Sequence, residues 1–291
     1  MRRGFLVVDK PPGITSNQVV GIVKKATGIK KVGHAGTLDP MATGALVLAA
    51  GRVTRLIRYI QDLPKEYLAT ALFGVATDTL DADGAVLTRE PMDITIEDLH
   101  DLVPRFTGTI MQVPPMVSAL KRDGRRLYEL ARAGELVERE ARAVRIDELE
   151  ILSVGASPYP EVEFRVVCGK GTYVRSLADD MAAVLGGAAH LTALRRSRIG
   201  SHRAGHGVTI DDIENWEGYF LTPAQALRDL PVVTVDQATI QGVRNGMRFV
   251  GGPIVSGPVD VSFCVIGPDG ELAAVYRRVG DRAEPEVVLP L

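Results

Sequence analysis

Short strand and helix patterns alternate along this chain in an irregular order, with no stretch that repeats at a fixed period. That excludes solenoids and propellers and leaves a mixed fold. Residues 5–8 read as a strand, followed by a Pro11-Pro12-Gly13 turn. Thr15 or Ser16 then caps an amphipathic helix to about Thr27, with Val19, Val20, Ile22 and Val23 as its apolar face. A glycine-rich loop at 33–44 feeds a strand at 45–49; 53–60 reads as helical, 67–73 as a strand, and 94–106 as a second capped helix. A short helix is expected at 125–133, strands at 144–152 and 162–167, and a helix at 172–185. This order predicts an α+β class with a mixed, largely antiparallel sheet. Composition shifts near Leu230-Pro231. Beyond it come short strands (232–235, 259–266, 272–276), one short helix and turns at Gly251-Gly252, Gly257-Pro258 and Pro268-Asp269-Gly270. The chain is therefore expected to divide into domains at 1–230 and 231–291, the second small and β-rich.

With 46% hydrophobic and 24% charged residues, 291 residues can bury a large core, so intrinsic disorder is excluded. The densest apolar run, 45–50, falls well short of the roughly 18 residues a membrane-spanning helix needs. The N-terminal strand runs into Asp9-Lys10 with no cleavage pattern, so no signal peptide is expected and the cytoplasm is the expected location. Cys168 and Cys264 fit no metal or redox spacing and read as reduced, buried thiols. The net charge of −2 hides a gradient: residues 1–58 hold ten Lys or Arg against two acids, and 205–291 hold six against twelve. Residues 121–145 carry eight basic side chains against five acids, and 181–210 contain Arg195, Arg196, Arg198 and Arg203 with no acid. A local basic surface is sufficient to neutralise phosphates, although runs of charge are also ordinary solvated faces.

The loop from Gly33 through His34 and Asp39-Pro40 to Gly44 carries the most chemical information. Its glycines permit tight turns and close approach of a ligand, and Pro40 pushes Asp39 toward an extended backbone. A carboxylate there is either a turn-former or a reactive group. No Walker run of Gly, four residues and Gly-Lys-Ser/Thr occurs. Residues 79–90 resemble a calcium loop in spacing, but the first ligand position is Thr79 and the flanks read as strands. His202 and His206 have i, i+4 spacing but sit among glycines, with no third ligand in view. No metal is expected. Arg175 falls in the first turn of a helix, an end of the dipole that disfavours cations, so an acidic partner is expected for it unless it simply reaches solvent.

Six runs in one order resemble the TruB family, the bacterial tRNA pseudouridine-55 synthases. They are Asp9-Lys10-Pro11-Pro12-Gly13-Ile14-Thr15-Ser16, the 33–44 loop, Lys65-Glu66-Tyr67, the run from Gln112 to Lys121, the run from Gly171 to Arg175, and the run from His190 to Arg196. The resemblance implies the pseudouridine synthase fold followed by a PUA-like RNA-binding domain, and isomerisation of uridine in the T-arm loop of tRNA at position 55. It implies that Asp39 is the nucleophile, attacking either C1′ of the sugar or C6 of the base, and that Arg175 pairs with it and keeps it charged where burial alone would raise its pKa. Tyr67 would stack on the uracil near the C5 proton, although a phenol is a poor base at neutral pH. The target base must leave its stack. His34 would fill the vacated space in the RNA, Leu194 would wall the uracil pocket, Tyr173 would pack beside Tyr67 or Arg175, and Lys10 would support the loop. Residues 117–143 correspond to a thumb that closes on RNA, with Lys121, Arg122, Arg125 and Arg126 as its phosphate contacts. Isomerisation conserves every atom, so no cofactor is implied. The expected partner is the T-arm stem-loop of tRNA, read largely by shape, with no membrane, no obligatory protein partner and a monomeric state.

Two other functions share such a scaffold. One is a guide-RNA-dependent synthase acting on ribosomal RNA, whose extra basic termini contrast with a first strand beginning here at Gly4. The other is a non-catalytic RNA-folding protein, which has no chemical need for Asp39, Tyr67 and Arg175 together.

Overall fold

The computed structural model describes residues 3–116, 121–122, 125–126 and 139–289. After β1 (Gly4–Lys10), Thr15 caps α1 (Ser16–Thr27). The Thr15 hydroxyl accepts from the Gln18 N–H, and the Gln18 side chain accepts from the Thr15 N–H at 2.7 Å. Gly28 ends the helix in the left-handed conformation. Then follow β2 (Val32–His34), the glycine-rich loop, β3 (Thr43–Ala50), a 3-10 segment, α2 (Ile57–Gln61) and β4 (Lys65–Phe73). A hairpin of β5 (Val75–Thr77) and β6 (Val86–Arg89) leads to α3 (Ile96–Leu102), whose capping box pairs Thr95 with Asp98, and to β7 (Gly108–Gln112). Next come a ribbon of β8 (Lys121–Arg122) and β9 (Arg125–Arg126), the long hairpin of β10 (Arg142–Val154) and β11 (Glu161–Cys168), α4 (Val174–Val184), β12 (Ala189–Ile199), β13 (His202–Arg203) and β14 (Val208–Thr209).

These strands build one sheet in the order β14-β1-β3-β12-β4-β11-β10-β7, with β2 on β3 and β13 on β12. Among the described strands of this sheet, only β1 with β14 and β3 with β12 pair in parallel, which gives the mixed, largely antiparallel sheet that the element order predicts. Helices α1, α3 and α4 cover one face through Val19, Val23, Leu99, Leu177 and Met181, against Leu6, Val8, Leu46, Phe164 and Leu191. The alternate residues Phe5, Val7, Ala45 and Val47 are buried on the other face. Burial on both faces is why β1 and β3 read as unbroken apolar runs.

A second sheet follows, formed by β15 (Val232–Thr234), β16 (Phe249–Val250), β17 (Ser262–Ile266), β18 (Leu272–Val279) and β19 (Arg282–Val288), in the order β15-β17-β18-β19-β16. Helix α5 (Gln237–Arg244) packs Ile240 and Val243 with Phe263, Val265 and Tyr276. The opposite face of the strands, through Cys264, Val275 and Val287, shares a buried cluster with Leu56 and Ile60 of the first unit. The Tyr59 hydroxyl also donates to Glu286 at 2.9 Å. The β-rich segment thus packs against the 3-10 segment and α2 that follow β3, rather than standing apart from them.

One expectation is corrected. Arg125 and Arg126 do not open a helix; they form a strand that pairs antiparallel with Lys121–Arg122. The Asp123-Gly124 dipeptide between the two basic pairs is a strong short-range hairpin signal, and it outweighs the helical pattern read there. Residues 127–133 lie outside the described residues, as do the side chains of Lys121, Arg122, Arg125 and Arg126. Among the described residues, no helix is long and apolar enough to cross a membrane.

Candidate active site

Asp39 stands on a loop clamped from beneath. The Lys10 side chain, wholly buried, donates to the carbonyls of Pro11 (2.8 Å), Pro40 (3.0 Å) and Ala42 (2.7 Å). Ser16, at the first turn of α1, exchanges hydrogen bonds with the Leu38 backbone: its hydroxyl donates to the carbonyl at 3.1 Å and accepts from the N–H at 2.9 Å. Arg196 on β12 closes the other side, donating to Ala45 O at 2.7 Å and Gly36 O at 3.1 Å. Satisfying so many loop carbonyls from buried cations fixes the loop without regular structure.

Gly44 completes the clamp. Its φ is +102°, and a Cβ built there would lie 2.2 Å from the Arg196 carbonyl oxygen. Only glycine permits the parallel pairing of Arg196 with Gly44 that joins β12 to β3. Gly44→Ala should lose about 3 kcal/mol from combined strain and overpacking. An unchanged urea midpoint in that variant would refute the close-approach account.

Arg175, 3% exposed on the first turn of α4, bridges two carboxylates. Its guanidinium meets Asp39 Oδ2 at 3.0 Å and Asp81 Oδ2 at 3.0 Å, and it also donates to the Thr79 carbonyl at 2.8 Å. The solvent-facing alternative for this arginine is thereby removed. Asp81 is itself held by the Thr79 hydroxyl and by the Asp83 N–H at 3.2 Å. The turn that presents it includes Leu80 at φ +60°, a rare conformation for leucine. The calcium-like spacing at 79–90 therefore serves an arginine. Among the described residues, no three His, Cys, Asp or Glu side chains are placed to hold a metal ion. Burial pushes the Asp39 carboxyl above its ordinary pKa; Arg175 and Lys10 pull it down, and Asp81 and Asp83 push it up.

Asp39 and Arg175 face a cavity of about 370 Å³, walled also by Lys65, Tyr67, Tyr173, Leu194 and Arg196. That volume lies within the ~300–1,000 Å³ usual for small-molecule sites. Gln112 holds the entry to α4 by two bonds with the Tyr173 backbone, at 2.8 and 3.0 Å. Burial raises the Tyr67 phenol above its ordinary pKa, which makes it a still weaker base at neutral pH. The Cys168 thiol is pushed up to about 11 by burial and is inert.

Of the residues singled out in the sequence, Asp39, Tyr67, Tyr173, Arg175 and Leu194 share this cavity. Lys10 lies beneath its loop, and His34 ends β2 outside its wall. His190 and His202 are buried against the carbonyls of Val75 and Ala226, at 2.9 and 2.8 Å. The sequence reading missed Asp81, Lys65 and Arg196. The calcium-like spacing at 79–90, set aside for a metal, takes in Asp81 without pointing to the arginine it serves, and Arg196 was hidden in a basic run.

A family model described as TruB family pseudouridylate synthase (N terminal domain) matches residues 24–174. The tRNA pseudouridine synthase B of Symbiobacterium thermophilum is 46% identical over 84% of this chain and 82% of its own length. That of Thermobifida fusca is 41% identical over 99% of both chains. Among solved structures, a Cbf5-Nop10-Gar1 complex is similar over 99% of this chain and 85% of its own, with 25% identity and a TM-score of 0.75. These likenesses define a pseudouridine synthase, which is an isomerase. Within that class, the chain belongs to the TruB family.

Proposed function

We propose that the protein converts uridine to pseudouridine at position 55 in the T-arm loop of tRNA, acting in the cytoplasm as a monomer without an obligatory protein partner or cofactor. The observation that carries this reading is the Asp39–Arg175 ion pair, 3.0 Å long, opening into a cavity of nucleobase scale. Asp39 is the nucleophile, and an ionised carboxylate is what Arg175 stabilises. The extruded uracil stacks on Tyr67 against Leu194 and Tyr173, and His34 fills the space it leaves in the RNA. Lys10 acts through the loop it holds. Lys121, Arg122, Arg125 and Arg126 on the 117–143 thumb meet phosphates, and residues 231–291 form a PUA-like RNA-binding domain. The relatives at 41–46% identity carry the name tRNA pseudouridine synthase B, which supports tRNA as the substrate.

The guide-dependent reading keeps one specific support, the likeness to Cbf5 in complexes with Nop10 and Gar1. A tRNA transcript tritiated at uridine C5 separates the two. Release of tritium by the purified chain alone is the expected result. Tight binding without release, until guide RNA and partner proteins are added, would overturn the stand-alone assignment.

A further inference from the structure

We propose that Lys65 is a catalytic residue of this isomerisation: its ammonium hydrogen-bonds a carbonyl oxygen of the extruded uracil and stabilises the negative charge that the base carries while its bond to the sugar is exchanged. The inference rests on the functional reading above and deepens it. Lys65 is 7% exposed and lines the same cavity as Asp39, Tyr67 and Leu194. It stands two residues before Tyr67 on β4, so the two side chains leave the same face of the sheet.

The other cations of the cavity are committed. Arg175 holds Asp39 and Asp81, and Arg196 holds the carbonyls of Gly36 and Ala45. Lys65, among the described residues, has one hydrogen-bond partner, the Gln61 carbonyl. Asp62, whose field reaches it, is bound to Lys170 at 2.7 Å. An ammonium has three N–H donors, so two remain for a ligand in the cavity. A buried cation without a carboxylate is costly, and such groups mark sites where negative charge arrives. Burial lowers this amine to about 8, which leaves it mainly protonated at neutral pH.

The chemistry supplies that charge. When the bond between N1 and C1′ breaks, its electron pair stays on the base and spreads over N1, O2 and O4. Asp39 holds C1′ as an ester in the interval; C5 then bonds to C1′ as the Asp39–C1′ bond breaks and frees the carboxylate, the C5 proton leaves, and N1 takes up a proton, so atoms and charge balance without a co-reactant. If Asp39 adds to C6 instead, the charge falls on O4, where the same ammonium can meet it. In either route Lys65 keeps its proton and acts electrostatically.

The test uses Lys65→Met and Lys65→Arg in the full chain, under single turnover, on tRNA transcripts carrying uridine or 5-fluorouridine at the target. Fluorine withdraws electrons and stabilises the anionic base by itself. Lys65→Met should slow consumption of uridine by about 100-fold, with RNA affinity within a few-fold of wild type. Its defect on 5-fluorouridine should be markedly smaller, and Lys65→Arg should recover most of the rate. Turnover of uridine within threefold of wild type, or equal losses on the two RNAs, would overturn the assignment. Lys65→Gln supplies the same comparison if the Met variant melts early. Wild type runs beside them: its failure to form pseudouridine would sink the functional reading itself, whereas its success with an unaffected Met variant would sink only Lys65.

Discussion

Asp39→Asn should abolish pseudouridine formation, by about 10⁴-fold or more, because an amide cannot take the nucleophile's part proposed for Asp39 and, among the described residues, no other carboxylate lines the cavity. RNA affinity should stay within a few-fold, since the phosphate contacts proposed above lie on residues other than Asp39. The same variant should fold at least as stably as wild type at pH 7. Burial raises the carboxyl of Asp39 above its unfolded value, so the stability it contributes is fully present below the unfolded pKa, near 3.8, and is lost as pH rises through the folded one. At neutral pH the wild type bears the desolvation of a half-buried carboxylate, which the amide does not. Arg175 retains Asp81 as a counter-charge in the variant. Thermal melts at pH 7 and near pH 4 check this, with a gap at pH 7 that closes on acidification. A variant that still turns over would remove Asp39 from the chemistry. One that melts far below wild type at pH 7 would show that the ion pair outweighs the desolvation.

Local signals in the chain were legible where a few adjacent residues decide the outcome. Thr15 and Gln18 fix the start of α1, the glycines fix the 33–44 loop, and the misplaced charge of Arg175 at a helix N-terminus pointed to an acidic partner. What stayed hidden depends on pairings distant in sequence. Strand β12 carries Arg195, Arg196 and Arg198, and such a basic run reads as a solvated or phosphate-binding surface. In the fold, Arg195 grips Asp9 at 2.7 Å, Arg196 holds the active-site loop, and Arg198 meets Glu66 at 3.2 Å. These three arginines hold the centre of the sheet, which is why charge counting overstated the free basic surface. Asp81 was unreadable as a partner of Arg175 for the same reason: 94 residues separate them. The seating of the C-terminal sheet on Leu56 and Ile60 likewise leaves no mark in a boundary drawn from composition.

Arg175→Ala should cost about 10³-fold in turnover and lower the melting temperature by several degrees, while RNA affinity changes little. Removing this guanidinium leaves the half-buried Asp39 and the buried Asp81, each 3.0 Å from it, without their shared counter-charge. The pair with Asp81 is buried on both sides, and breaking such a pair from one side strands the partner charge, at about 3–5 kcal/mol. Two stranded carboxylates relieve the repulsion by taking up a proton. Because Arg175 pulls the Asp39 pKa down, its loss must move that pKa further up. The acid limb of the pH–rate profile should therefore shift to higher pH in the variant, and part of the lost activity should return as pH is raised. Arg175→Lys should fall between the two enzymes, since a single ammonium cannot reproduce a planar fork that reaches two carboxylates at once. Combining Arg175→Met with Asp81→Leu should restore most of the melting temperature and none of the rate. That separation would place Asp81 in the support of the arginine and the arginine in the ionisation of Asp39. Wild-type turnover in Arg175→Ala, or an acid limb that stays in place, would show that Asp39 is ionised by other means.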